Sequence, residues 1–318
     1  MRSLFVVLII SLFFVGCEKS KESSFLKVGI SPWPGYEPFV LAAKKSYFSE
    51  AHIRLVRFAT PTESYRALRD GVIDIAAFTV DEVFHYAEVR DKPKIFLVLD
   101  ISNGGDAIVV RPEIKKAEDL KGKTMGVEGS ALGDYMMHRF YDHSHNLKPS
   151  DLKFKHIPIN HQEAAYRAGD VDALVTYEPS KSLLLAAGAH VLFDSKQIPN
   201  EIIDVLVANN KTITSRNHDI KILVKGWFKA LDYIKSHKEE SIQIMAKNGL
   251  ITDEQFRKGF EELIIPSLED NFKMLKDNGT LLVPMQRLAQ MMFDRGDLYK
   301  KIDIKPLLDD RIIKAIKD

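Results

Sequence analysis

Short apolar runs, each followed by a turn-rich loop and a helix-like stretch, recur along the chain in the same order. Lys27–Ile30 (KVGI) predicts a strand leading into the Pro/Gly-rich loop Ser31–Pro38, and Thr124–Val127 (TMGV) predicts another leading into Glu128–Gly133. Gly29 and Gly126 within these runs lie 97 positions apart. Downstream, the helical stretch Tyr65–Asp70 precedes Gly71-Val72-Ile73-Asp74 and the apolar run Ile75–Phe78. At an offset of 98, Glu163–Ala168 precedes Gly169-Asp170-Val171-Asp172 and the run Ala173–Thr176. A glycine just past a helix supplies the positive φ of a C-terminal stop. The short apolar run after it fits a buried parallel strand. Two units repeated in order predict two similar α/β lobes. Ligands of open parallel sheets sit beyond the carboxyl ends of the strands, so loops from both lobes are expected to meet at a cleft between them.

The chain has to cross between the lobes twice. Ile95–Asp100 and Ala107–Val110 flank Ser102–Asp106, which predicts an outward crossover, and Asp204–Ala208 predicts the return. The expected division is a first lobe of residues 26–106 plus 208–318 and a second lobe of 107–207, hinging about Gly104–Val110 and Asp204–Ala208. Past the return, Ile220, Val224, Trp227, Leu231 and Ile234 follow alternating spacings of four and three, one apolar face of a helix. That pattern makes Trp227 a core residue. Met285–Asp294 and Leu307–Ile316 read as further helices on the first lobe.

The N-terminus carries a different pattern. Arg2 precedes an apolar run over residues 4–15 in which only Ser11 is polar, long enough for a signal segment and short for a bilayer span. The run ends in Phe14-Val15-Gly16-Cys17, which resembles a bacterial lipobox without its usual Leu, and Cys17 is the only cysteine. Residues 1–16 are expected to be removed, Cys17 to carry acyl chains such as palmitate, and residues 17–25 to form a polar tether. The expected location is the periplasmic or extracytoplasmic face, anchored to the membrane by lipid. Export removes the chain from ATP and NAD, and no cofactor is expected. With 45 Lys plus Arg against 44 Asp plus Glu, no basic excess supports nucleic-acid binding. A monomer is expected.

Candidate chemistry lies in the strand-end loops. Three prolines between Ser31 and Pro38 stiffen a loop bearing Trp33 and Tyr36, aromatic candidates for a planar or cationic ligand. Thr79 reads as a helix N-cap at a strand end, with Asp81 and Glu82 suited to the positive end of that helix. Ser130, in Gly129–Gly133, opens the helix Asp134–Tyr141, where free amides and a hydroxyl could hold a polar acceptor. Tyr177 and Glu178 occupy the equivalent strand end of the second lobe, and Asp106 and Asp204 fall at the crossovers. If two of these acidic residues face the cleft, a purely anionic ligand is repelled and an amine, amidine or protonated heterocycle is matched.

Several segments resemble the periplasmic solute-binding proteins of the nitrate/sulfonate/taurine importers and their thiamine-pyrimidine-precursor-binding relatives. They are KVGISPWPGYEP (27–38), DGVIDIAAFTVDE (70–82), DISNGGDAIVVRPEIKKAEDLKGKTMGV (100–127), GDVDALVTYEPS (169–180) and WFKALDYI (227–234), over most of Leu26–Lys247. The resemblance implies a type II periplasmic binding-protein fold, two α/β lobes joined by two crossover strands around a central cleft. Such proteins close on one small molecule, here of nitrogenous-heterocycle, amine or aminosulfonate type, and present it to an ABC permease. By position it implies ligand contacts at Trp33, Tyr36, Thr79, Asp106, Ser130, Tyr177, Glu178 and Asp204. The acidic set departs from the donors that a sulfonate or nitrate wants.

Other readings stand beside this one. A loaded lipoprotein could dock on a membrane sensor kinase or cyclase instead of a permease. His138, His143 and His145 could share a metal ion, although helix-end histidines are the commoner case. An enzyme resembling fungal pyrimidine synthases is the reading the residues favour least. Those enzymes look cysteine-rich around iron, and this chain has no cysteine after Cys17. It also has no GxSxG and no HExxH, and Gly122-Lys123-Thr124 lacks the earlier glycine of a phosphate loop, with Ala117 in its place. No catalytic residue is expected.

Overall fold

Eleven strands build two sheets in the computed structural model, which describes residues 25–90 and 93–317. The signal segment, Cys17 and most of the tether lie outside the described residues. In chain order the strands are β1 (Leu26–Ile30), β2 (Ile53–Arg57), β3 (Ile75–Thr79), β4 (Lys94–Ser102), β5 (Asp106–Val110), β6 (Thr124–Val127), β7 (Lys153–His156), β8 (Ala173–Tyr177), β9 (His190–Asp194), β10 (Ile203–Ala208) and β11 (Leu263–Ile264). The larger sheet has the order β11-β4-β10-β3-β1-β2 and the smaller β7-β6-β8-β5-β9. Each sheet has a parallel core, β2-β1-β3 and β7-β6-β8, flanked by an antiparallel strand, β10 or β5.

The duplication seen in sequence is thus a duplication of register. Gly29 lies opposite Ala76 and Gly126 opposite Leu174. Both helix stops have the expected left-handed glycine, Gly71 at φ +72° and Gly169 at φ +84°. The aspartate three residues on has a specific task. Asp74 accepts from Lys27 N–H and Asp172 from Thr124 N–H, each at 2.8 Å. The backbone amides of the same aspartates donate to the Lys27 and Thr124 carbonyls at 3.0 and 2.9 Å. Each Gly-x-x-Asp unit therefore ends a helix, turns, and clamps the start of the neighbouring strand.

The chain crosses between sheets twice, as expected, but the return is displaced. Asp204–Ala208 was expected to be the crossing itself; it lies within β10, between β3 and β4 of the larger sheet. Its run of apolar residues is completely buried, and a fully buried run gains more from two hydrogen-bonded neighbours than from bridging lobes. The crossing falls earlier, between β9 and β10. There Ser195 Oγ lies 2.8 Å from Ser102 Oγ and accepts from Gly104 N–H at 2.6 Å, lacing the return to the outward crossover.

The helix Asn217–Ser236 buries Ile220, Leu223, Val224, Trp227 and Ala230. Trp227 is a core residue with its ring 4.6 Å from that of Phe39. Helices at Leu282–Arg295 and Arg311–Lys317 correspond to the two expected near the C-terminus. The strands with no signature in the sequence are all edge strands, β2, β7, β9 and β11, and β2 and β7 show why. Their burial is partial or nil, so no apolar run marks them, and the lysines of KFKH suit an exposed edge. Among the described residues no helix is long and apolar enough to cross a membrane.

Candidate functional site

A narrow cleft lies between the sheets, lined by residues of both lobes. From the larger-sheet side come the loop after β1 (Ser31, Pro32, Trp33, Tyr36), Pro61, Thr79, Glu82 and Asp204; from the other come Asp106, Glu128, Ser130, Leu132 and Tyr177. Trp33, Thr79, Ser130 and Tyr177 therefore converge from opposite halves. The Trp33 and Tyr177 rings meet edge to face across the lobe boundary, with centroids 6.2 Å apart.

Local sequence explains each placement. Pro34 opens a single 3₁₀ turn, Pro34–Tyr36, and Pro38 sits in the first turn of the helix Glu37–Lys44. Proline is favoured in a first turn because its missing N–H has no intrahelical partner there, so the aromatic loop is held by its own prolines. Thr79 caps the helix Val80–Val89, with Glu82 reaching back to accept from its N–H and hydroxyl, both at 3.3 Å. Ser130 caps the helix Ala131–His143 and accepts from Gly133 N–H at 3.2 Å. The amides of that turn are less available than expected. Gly129 N–H donates to His156 Nδ1 at 3.0 Å and Ser130 N–H to the Glu128 carbonyl at 2.8 Å, which weakens this helix start as an anion site.

Seven of the eight expected contact residues line the cleft; Glu178 does not. Its carboxylate turns into the start of the helix Ser180–Ala186, accepting from Ser182 N–H at 3.2 Å and Ser182 hydroxyl at 3.1 Å, with Lys181 Nζ at 3.8 Å. A helix N-terminus and a buried cation satisfy that anion better than the cleft would. Lys181 in turn donates to the Gly104 carbonyl at 2.8 Å and to Glu262, tying the second lobe to the outward crossover and to the first lobe. Residues lining the cleft that the sequence did not single out as contacts are Ser31, Pro32, Pro61, Glu82, Glu128 and Leu132. Glu82 was read only as a helix-end charge. Glu128 was within reach of inspection, since it stands at the head of the Gly129–Gly133 turn.

The cleft is acidic. Glu82, Asp106, Glu128 and Asp204 line it, and among the described residues no lysine, arginine or histidine does. Burial, then Asp81, pushes Glu82 up to about 8, and burial pushes Asp106 up to about 7. Burial raises Glu128 as well, although the Tyr177 hydroxyl donates to it at 3.1 Å. Asp106 is 2% exposed, and its Oδ2 has no hydrogen-bond partner. An unpaired buried acceptor costs about 1–3 kcal/mol, more when charged. Asp106 is one of the residues that line the cleft. Two of the three histidines of the metal reading face other partners. His143 Nδ1 bonds the Arg139 carbonyl at 2.8 Å, His138 faces Asp297 at 3.8 Å, and among the described residues no group of three or more ligating side chains could hold a metal ion.

Residues 19–249 match the model of the NMT1-like family, which is most of the chain. The chain belongs to that family. A protein of Escherichia coli (strain K12) named for binding aliphatic sulfonates is 24% identical over 317 residues, spanning 94% of this chain and 92% of that one. Among solved structures, the alkanesulfonate-binding protein SsuA from Xanthomonas axonopodis pv. citri bound to MOPS superposes with a TM-score of 0.73 at 16% identity, covering 89% of this chain and 96% of its own. The desulfurization enzyme DSZB superposes with a TM-score of 0.71 at 17% identity, covering 92% and 99%. The resemblance to the nitrate/sulfonate/taurine solute-binding group is borne out, and so is its two-lobed fold. At these identities, the solved structures speak for the fold alone, which binding proteins and an enzyme share.

Proposed function

We propose that this chain is a solute-binding protein of an ABC importer, acting on the periplasmic side, whose lobes close on a small nitrogenous cation or N–H-rich heterocycle. The observation that carries the reading is Asp106 Oδ2, a buried acceptor without a partner on the wall of a cleft that no basic side chain lines. A ligand N–H is the group that satisfies it. The aromatic faces of Trp33 and Tyr36 suit a flat or cationic body, worth roughly 0.5–2 kcal/mol. Closure of the empty cleft brings Asp106 and Glu128 of one lobe toward Glu82 and Asp204 of the other, and that repulsion favours the open form. A cation between them relieves it, so the ligand shifts the equilibrium toward closure by its differential affinity. Relatives named for sulfonates bind an anion. An alkanesulfonate without a cationic group would meet four acidic groups and no basic one here, so an aminosulfonate is the most anionic solute this cleft suits.

Delivery to a permease, rather than to a membrane sensor, is favoured by the resemblance of the sequence to the binding proteins of the nitrate/sulfonate/taurine importers. The anchoring half of the proposal is acylation of Cys17, for which mass spectrometry of the membrane-extracted protein and of Cys17→Ala is the check. The solute class is tested by thermal shift and calorimetry against amines, aminopyrimidines, taurine and alkanesulfonates at equal ionic strength. Stabilisation by the amines or aminopyrimidines is expected. Stabilisation by alkanesulfonates alone would overturn the cationic reading.

A further inference from the structure

Behind the cleft two buried carboxyl groups face each other. β4 and β10 are hydrogen-bonded neighbours, and their register sets Asp100 opposite Asp204. Asp100 is fully buried and Asp204 is 2% exposed. One aromatic donor from the β1 loop reaches each. The Trp33 indole N–H lies 3.2 and 3.1 Å from the two oxygens of Asp100, and the Tyr36 hydroxyl donates to Asp204. The fit is tight. A Cβ on Gly35 would collide with the Asp100 carboxylate and lie 2.7 Å from the indole nitrogen, and one on Gly105 would lie 2.7 Å from the outer edge of the ring. Backbone from the β1 loop and from the outward crossover thus holds the indole against Asp100.

Like charges this close in a water-excluded site do not both persist; one site takes up a proton. The other charged or titratable groups facing the pair are Tyr36 from the β1 loop, Glu82 from the helix after β3, and Asp106 from β5. None can supply a positive charge. We propose that Asp100 and Asp204 hold one proton between them, and that Asp100, which does not line the cavity, is the positioning residue that sets the Trp33 ring over it. Burial and the opposing carboxylate both act to raise Asp204, and burial raises Asp100. The chain Trp33–Asp100–Asp204–Tyr36 then reads as two anchored aromatic donors joined through a shared proton, and it exists without any ligand.

Infrared spectra of the ligand-free, full-length protein test this. At a pH where an ordinary aspartate, with a pKa near about 3.9, is ionised, a carboxylic-acid carbonyl band should persist. Asp100→Asn and Asp204→Asn should each remove the same component, and the double variant should remove no more than either alone. A double variant losing twice as much, or single variants losing nothing, would overturn the shared proton. Folded-state affinity for this proton exceeds that of the unfolded chain, so it stabilises at low pH and is lost as pH rises through the folded-state value. The number of protons linked to unfolding should accordingly fall by one in Asp100→Asn. For positioning, Asp100→Asn should keep the Trp33 fluorescence and near-ultraviolet dichroism, because an amide still accepts from the indole. Asp100→Leu should change both, with Trp227, the other tryptophan, as a constant background. Unchanged Trp33 signals in a folded Asp100→Leu would refute the positioning role.

Discussion

Around the cleft the larger sheet runs β2-β1-β3-β10-β4 and the smaller β7-β6-β8-β5-β9, so strand for strand the lobes are laid out alike. The aspartate clamps at Asp74 and Asp172 repeat to within a tenth of an ångström, and the glycine stops before them, at φ +72° and +84°, share the left-handed region. The strand ends differ. After β1 comes a proline-stiffened aromatic loop, after β6 a glycine-serine turn; β3 ends in Thr79 and β8 in Tyr177. Backbone closure needs the same few groups wherever a helix returns to a parallel strand, so the frame stays alike in both halves. The loops carry no such obligation and are free to differ in chemistry. Aromatic surface comes mostly from the first lobe, whereas carboxylates come from both.

The largest expected effect tests whether the second lobe's acid matters as much as the first lobe's aromatics. Asp106→Asn should weaken binding of the amine or heterocycle selected by screening roughly 10- to 150-fold, from the loss of a charge-assisted hydrogen bond worth about 1.5–3 kcal/mol. Calorimetry measures it, and an undiminished affinity would leave capture to the first lobe alone. The same variant carries a pH signature. Burial raises Asp106 to about 7, so the folded state holds a proton that the unfolded chain has already lost. Ligand-free stability should therefore decline from the unfolded value near about 4 up through about 7, and cation affinity should rise over the upper part of that span. Asp106→Asn should flatten both profiles, read by thermal unfolding and titration across pH.

Trp33→Ala should weaken binding roughly 3- to 30-fold, the loss of one aromatic face worth about 0.5–2 kcal/mol. A loss above that of Asp106→Asn would reverse the weighting of the lobes. The frame is tested by a matched pair. Asp74→Ala and Asp172→Ala should each destabilise by about 1 kcal/mol and agree within about 0.5 kcal/mol in denaturant unfolding. Unequal losses would show that the repeat is one of shape and not of energetics. Smallest is Ser130→Ala. Loss of this cap should lower stability by about 1 kcal/mol and leave cation affinity nearly unchanged, because its turn is committed to internal bonds. A large affinity loss there would restore the second lobe's helix start as a ligand contact.

Much of this was legible in the sequence because it is local and periodic. The runs at Val28, Ile75, Met125 and Leu174 mark buried strands, and Gly71 and Gly169 mark helix ends. The aromatic loop announces itself by its prolines. Less legible was Asp100, the last residue of an apolar run, whose role depends on the strand beside it. That strand, β10, arrives about a hundred residues later in the chain and reads on its own as a crossover. Glu178 shows the converse. Its position at a strand end suggested the cleft, and a lysine three residues on, held by the Gly104 carbonyl, turned it away.

From the sequence alone follow the two-lobed α/β organisation, the family, the export signal as an expectation, and which loops meet at the cleft, since strand period, helix stops and the repeat offset are properties of neighbouring residues. Which carboxylates share the cavity, which one is left without a partner, and which pair faces across β4 and β10 were decided by tertiary structure. Charge and hydrogen bonding act through space and depend on burial. Residues such as Asp100 and Asp204 acquire their chemistry only when the return strand inserts between β3 and β4 and excludes water from both.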